Sequence, residues 1–117
     1  MTVKYYKDLL IWNKAKDLVK EVYIAIRKFP EIEKYILISQ ILRSANSIPT
    51  NIAEGQARQH SKEFIQFLHI ALGSLAELDT QLCISKDLGY LTEEELNKFD
   101  MKITELRKMT RGLISKL

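Results

Sequence analysis

Apolar residues recur at spacings of three and four along almost the whole chain, and four such stretches follow one another. The first runs from about Asp8 to Lys28, with Leu9, Trp12, Ala15, Val19, Val22, Ile26 and Phe29 on one face. Pro30 ends it, because proline disfavours helical geometry in the residue before it. Pro30 can also open the next helix, with Glu31 and Glu33 suited to its positive N-terminal end. The second helix is expected from about Glu31 to about Ala57, with a broad apolar surface that includes Ile32, Tyr35, Ile36, Ile41, Ala45, Ile48 and Ile52. Pro49 removes a backbone donor and is expected to bend it; a break into two helices at Ile48-Pro49 is the rival reading. After a junction at Gln59-His60-Ser61, with Ser61 as N-cap, the third helix runs from about Lys62 to Leu88 on a stripe from Phe64 to Leu82. Gly89 fits the left-handed position just past a helix end. Thr92 with Glu95 spells a capping box. The fourth helix carries Leu96, Phe99, Ile103, Leu106, Met109 or Thr110, and Leu113. No strand pattern competes. The expected fold is all-α, an up-down-up-down four-helix bundle forming one domain over residues 1–117.

Charge changes this picture, because it is unevenly spread. The 117 residues carry a formal net charge of +3. Residues 1–28 hold seven Lys or Arg against three acids, and residues 91–117 hold six against five. Between Tyr35 and Ala53 the only charged side chain is Arg43, and between Phe64 and Ala76 no Asp, Glu, Lys or Arg occurs. A helix at the edge of a monomeric bundle normally fills its outer surface with charge. Helices two and three therefore read as contact surfaces for other copies of the chain; a tolerant surface of Ser, Asn, Gln and Thr is the plain alternative. No run approaches the ~18 apolar residues needed to cross a bilayer, and Met-Thr-Val-Lys-Tyr-Tyr lacks a signal-peptide core. With Cys83 alone, no disulfide forms within one chain. A cytoplasmic location is expected, with no membrane partner.

The stretch from Arg43 to Arg58 is unusual, since it keeps a helical apolar face around both Pro49 and Gly55. Arg43, Asn51, Glu54 and, on helix three, Glu77 are polar residues set in apolar helical surface. A buried charge costs several kcal/mol unless paired. Arg43 is therefore expected to pair with Glu54 or Glu77, within a chain or across an interface. Asn51 is expected to cap backbone freed near Pro49. A ligand pocket formed by these residues is the functional alternative. Gly55 and Gly73 are expected at close helix approaches, since each costs ~1 kcal/mol in a helix relative to Ala.

Catalytic chemistry finds little support. A di-iron bundle needs Glu-x-x-His pairs, but Ala57 precedes His60 by three residues and Gln66 precedes His69. Cys83 has no histidine near it on helix three and is expected to be a buried structural cysteine. No phosphate-cradling glycine loop is present, and no cofactor is expected. Basic residues offer a different chemistry. Lys16, Lys20 and Arg27 lie near one another along helix one, with Lys4, Lys7 and Lys14 near its start, while Arg107, Lys108 and Arg111 cluster late in helix four. Five copies would carry about +15, five times +3, enough for a repeated patch to hold a phosphate backbone. Asp17 and Glu21 interrupt the helix-one stripe, so an ordinary solvated face is the alternative. Tyr5 and Tyr6 would either stack on bases or pack the N-terminal arm.

Several segments together resemble the 23S rRNA-intervening-sequence proteins, a family that includes relatives of the accessory protein of diversity-generating retroelements. They are Asp8-Leu9, Trp12-Asn13-Lys14-Ala15, Phe29-Pro30, Ser39-Gln40-Ile41, Ser47-Ile48-Pro49-Thr50-Asn51-Ile52-Ala53-Glu54-Gly55, Phe67-Leu68, Ala71-Leu72-Gly73-Ser74-Leu75, Glu77-Leu78 and Leu88-Gly89-Tyr90-Leu91. The resemblance covers nearly the whole chain, and the Ser-Ile-Pro to Glu-Gly run is its specific part. Leu42 stands where one of a pair of arginines is usual, and Ile36 and Ile38 stand where a Gly and a Thr are usual. The resemblance implies a four-helix bundle that assembles as a homopentamer, without an established enzymatic activity. It also implies association with nucleic acid, RNA or DNA, or an adaptor role toward a protein such as a reverse transcriptase.

Overall fold

The computed structural model of the chain describes residues 5–117. Four α-helices account for most of them: α1 (Leu10–Ala25), α2 (Leu37–Ala57), α3 (Ser61–Asp87) and α4 (Glu93–Lys116). They form the expected four-helix bundle. α1 packs on α2 and α4, and α3 packs on α2 and α4, so neighbours in sequence are neighbours in space. The α2–α3 seam is the most intimate. The bundle measures 45 × 25 × 19 Å, close to the ~40 Å that the 27 residues of α3 span at 1.5 Å each.

The core is a stack of aliphatic side chains from all four helices. Leu18 and Val22 meet Ile41, Ile48 and Ile52, then Leu68, Leu75, Leu78 and Leu82, then Ile103 and Leu106, all essentially without solvent contact. Thr110 joins them because its hydroxyl donates to the Leu106 carbonyl at 2.7 Å, which satisfies the one polar atom it buries. On α1 the buried face is Ile11, Ala15, Leu18 and Val22. Trp12 and Val19, expected in the core, are half-buried on the side toward α2.

Local signals set the helix ends. Gly89 takes φ +82°, its N–H bonds to the Lys86 carbonyl, and Tyr90 N–H reaches the Ser85 carbonyl at 2.9 Å, which closes the α3 C-terminus as a Schellman motif. Thr92 accepts from Glu95 N–H at 3.1 Å while the Glu95 carboxylate accepts from Thr92 N–H at 2.9 Å, a complete capping box. Ser61 is not a cap. It is the first residue of α3, the N-cap is His60 without a side-chain bond, and Gln59 makes the tight turn at φ 60°.

The connection between α1 and α2 differs from expectation. Two short 3-10 turns, Ile26–Lys28 and Glu31–Glu33, flank Pro30, and α2 begins only at Leu37. The backbone of Ile36 (φ −116°, ψ −93°) breaks the helix that the spacing of Ile32, Tyr35 and Ile36 suggested. Those three side chains are exposed rather than buried. α2 itself runs unbroken through Pro49, so the two-helix alternative is excluded. Pro49 leaves the Ala45 carbonyl without its i+4 donor. Asn51 does not answer it. Its amide donates one turn further on, to the Ser47 carbonyl at 2.8 Å and the Ser47 hydroxyl at 2.9 Å.

Gly55 explains how α2 and α3 come so close. A Cβ there would stand 2.6 Å from Phe67 Cβ and 3.0 Å from Phe64 Cδ1. Gly73 has no such role within the chain, because a Cβ there would meet nothing within 4 Å.

Candidate nucleic-acid interface

Lys16, Lys20 and Arg27 are exposed along the first helix and its 3-10 extension. At spacings of four and seven they fall on one side of α1. The acids that interrupt this stripe in sequence do not interrupt it in space. Asp17 and Glu21 line the crevice between α1 and α4 together with Lys102 and Glu105. Glu21 is held there by an ion pair with Lys102, and Lys14 is drawn to the same side by Glu105 at 2.6 Å. A row of uncompensated cations therefore faces solvent, while the neutralised pairs zip α1 to α4. Exposed pairs of this kind stabilise by at most ~1 kcal/mol each, so their main effect is to orient charge.

Aromatic rings frame the start of the stripe. Lys16 Nζ lies 5.1 Å from the Trp12 ring centre, and Tyr6 meets Trp12 edge-on at 5.4 Å. Tyr5 leans on Tyr6 at a tilt of 50° with ring centres 4.8 Å apart, and Lys7 lies over the Tyr5 ring at 5.5 Å. Tyr6 therefore packs the N-terminal arm onto α1, while Tyr5 keeps an exposed ring. Lys4 lies outside the described residues.

The second basic cluster does not join the first. Arg107 leans toward α3, with its guanidinium 4.0 Å from Asp79, whereas Lys102 and Glu105 of the same helix pair with α1. Lys108 and Arg111 are exposed. The two clusters thus lie on different sides of the bundle, separated by the α1–α4 ion pairs.

Arg43, Glu54 and Glu77 are exposed rather than buried. Arg43 and Glu54 stand eleven residues apart on one helix, roughly 16 Å at 1.5 Å per residue, too far for a pair within the chain. Glu54 pairs instead with Arg58 at 3.4 Å. Arg43 and Glu77 line one polar cleft between α2 and α3 of about 450 Å³, and among the described residues no ion pair joins them. The cleft floor is a hydrogen-bond ladder absent from the sequence reading. Ser44 donates to Gln81 Oε1 at 2.7 Å, and the Ser47 and Ser74 hydroxyls meet at 2.7 Å. The available signal was the three-residue spacing of Ser44 and Ser47 beside the apolar face of α2.

Among the described residues, no group of three His, Cys, Asp or Glu side chains comes together to hold a metal. Cys83 is exposed, not buried as expected. Partial desolvation, then the nearby Asp79, Asp100 and Asp87 carboxylates, push its thiol above the ordinary value, which lowers its thiolate fraction and nucleophilicity. No helix among the described residues is long and apolar enough to cross a membrane.

Comparison with known proteins places these features in a family. The family model described as "23S rRNA-intervening sequence protein" matches residues 7–112. A crystal structure of a protein of unknown function from the S23 ribosomal protein family of Bacteroides thetaiotaomicron superposes with a TM-score of 0.81 at 26% identity, covering 90% of this chain and 98% of that one. No curated protein matches the chain. Neither description names an enzymatic activity.

Proposed function

The chain belongs to the 23S rRNA-intervening sequence protein family, and from that premise we propose that it is a non-enzymatic bundle that self-assembles, as a pentamer, and holds RNA by its phosphate backbone. The observation that carries the nucleic-acid reading is the α1 stripe. Lys16, Lys20 and Arg27 face outward, and the acids beside them in sequence turn away toward α4. Such a surface attracts any polyanion and reads no bases. A single copy offers few phosphate contacts, and repetition around a ring multiplies them. The family description favours RNA over DNA as the polyanion.

The test is a binding titration of single-stranded RNA against salt. Each phosphate neutralised contributes about −0.7 to the slope of log affinity on log salt. Reversing Lys16, Lys20 and Arg27 to Glu should abolish binding at 0.1 M salt and flatten that slope. Undetectable binding by the wild type, or affinity indifferent to salt, refutes the reading.

A second reading, an adaptor for a protein such as a reverse transcriptase, has its own observation. Ile32 and Tyr35 are 75% and 84% exposed, and Leu88, at the same end of the bundle, is 53% exposed. A complex with such a partner that survives nuclease treatment would favour it.

A further inference from the structure

An open groove of about 550 Å³ lies between α1 and α2. It exists because the side chains facing each other there do not fill the space. α1 contributes Trp12, Lys16 and Val19, and α2 answers with the compact Pro49, Ala53 and Ala57. Trp12, Val19, Pro49 and Ala53 are half-buried, so the floor keeps apolar surface in contact with water. Two polar side chains edge that floor. Asn46 uses its amide on the Leu42 carbonyl at 2.8 Å and the Tyr23 hydroxyl at 3.1 Å. Among the described residues, neither its carbonyl oxygen nor the Thr50 hydroxyl has a partner. An aliphatic occupant has no use for such groups, whereas a planar heterocycle with polar edges uses both floor and rim.

Charge beside the groove narrows the occupant further. Glu54 is paired with Arg58 at 3.4 Å, so Lys16 is the groove's one charge without an ion-pair partner among the described residues. Lys20 stands one turn further along the same side of α1. The Lys16 ammonium lies 5.1 Å from the Trp12 ring centre. A cation over an exposed ring is weakly held, so a phosphate can draw it off and bare the ring. An anion at the rim and a ring on the floor is the pairing that a nucleotide unit presents. We propose that the groove takes a base of the single-stranded RNA whose phosphates Lys16 and Lys20 hold, laid against Trp12. This rests on the phosphate-backbone reading and adds a subsite to it. Every base has a π-face, so the contact adds affinity without selecting sequence. It also favours single strands, because a duplex keeps its bases stacked inside.

Trp12 is the chain's single tryptophan, so its emission reports on the groove directly. The full-length protein is titrated with oligouridylate and, as a polyanion without bases, with inorganic polyphosphate. Oligouridylate should quench the emission in step with binding, and polyphosphate should bind with far less quenching. Ala53→Leu and Ala57→Leu each fill the groove without altering charge. Ala57 is exposed, so the second variant serves if circular dichroism shows the first misfolded. Each should bind oligouridylate about tenfold more weakly, the scale of one base–aromatic stack, with polyphosphate affinity and salt slope unchanged. Oligouridylate that binds without quenching, or folded variants that bind it as the wild type does, overturn the base subsite and leave the phosphate-backbone reading standing. A fall in the variants' mass by light scattering also overturns it, by giving the groove to a second copy. If neither polyanion binds the wild type, the phosphate-backbone reading itself fails and takes the subsite with it.

Discussion

Alanine at Gly55 and alanine at Gly73 should move stability in opposite directions. Both glycines sit inside helices, so each exchange gains about 1 kcal/mol of helix propensity. Only the surroundings differ. At Gly55 the new methyl would stand 2.6 Å from Phe67 Cβ, against 3.4–4 Å for an ordinary contact. That Cβ hangs directly on the α3 backbone, so α2 and α3 must separate by most of an ångström. A shift of that size sits at the upper end of overpacking costs, about 2–3 kcal/mol. The net expectation is a loss of about 1–2 kcal/mol for Gly55→Ala and a gain of up to about 1 kcal/mol for Gly73→Ala. Urea unfolding followed by helical circular dichroism measures both, at one protein concentration because assembly adds to apparent stability. The midpoints should move apart with unchanged slopes. If Gly55→Ala is as stable as the wild type or more so, the close α2–α3 approach is not as described.

Three further outcomes are expected. Thr92→Ala should cost about 1 kcal/mol in the same unfolding measurement by removing the N-cap acceptor, and Thr92→Ser should retain most of it. Glu95 is held below its ordinary value of 4.5, first by Lys28 and then by the Thr92 backbone N–H. A carboxylate depressed in the folded state adds stability above its unfolded value, and that stability is lost as pH falls from about 4.5 through the lower folded value. Glu95→Gln should therefore show a flatter stability profile than the wild type across that acidic window. Cys83 should alkylate with iodoacetamide more slowly than a free cysteine at pH 8, because its thiol is pushed up; reaction at or above the free rate would contradict this.

Features written in local chemistry were legible in the sequence. Thr92 with Glu95 and Gly89 each act within a few residues, and each set a helix end as expected; Pro30 did not, since only a 3-10 turn follows it and α2 waits for Leu37. The four apolar stripes were legible for the same reason. The segment from Ile32 to Ile36 was not, because an exposed apolar residue and a buried one look alike in a spacing pattern. The α1 stripe was right at Leu9, Ala15, Val22, Ile26 and Phe29 and missed two core positions. Trp12 and Val19 are apolar but sit on the edge toward α2, while Ile11 and Leu18 take the core. Cys83 and Arg43 were both misplaced by reading a helix's average character onto one position. The direction of Asp17 and Glu21 depended on Lys102 and Glu105, more than eighty residues away, and no local pattern carries that.

Self-assembly is the property on which the proposed function rests. Size-exclusion chromatography with light scattering on the full-length wild type tests it most directly. The expected mass is five times 13.6 kDa, about 68 kDa. A mass of 13.6 kDa held across concentration would contradict it.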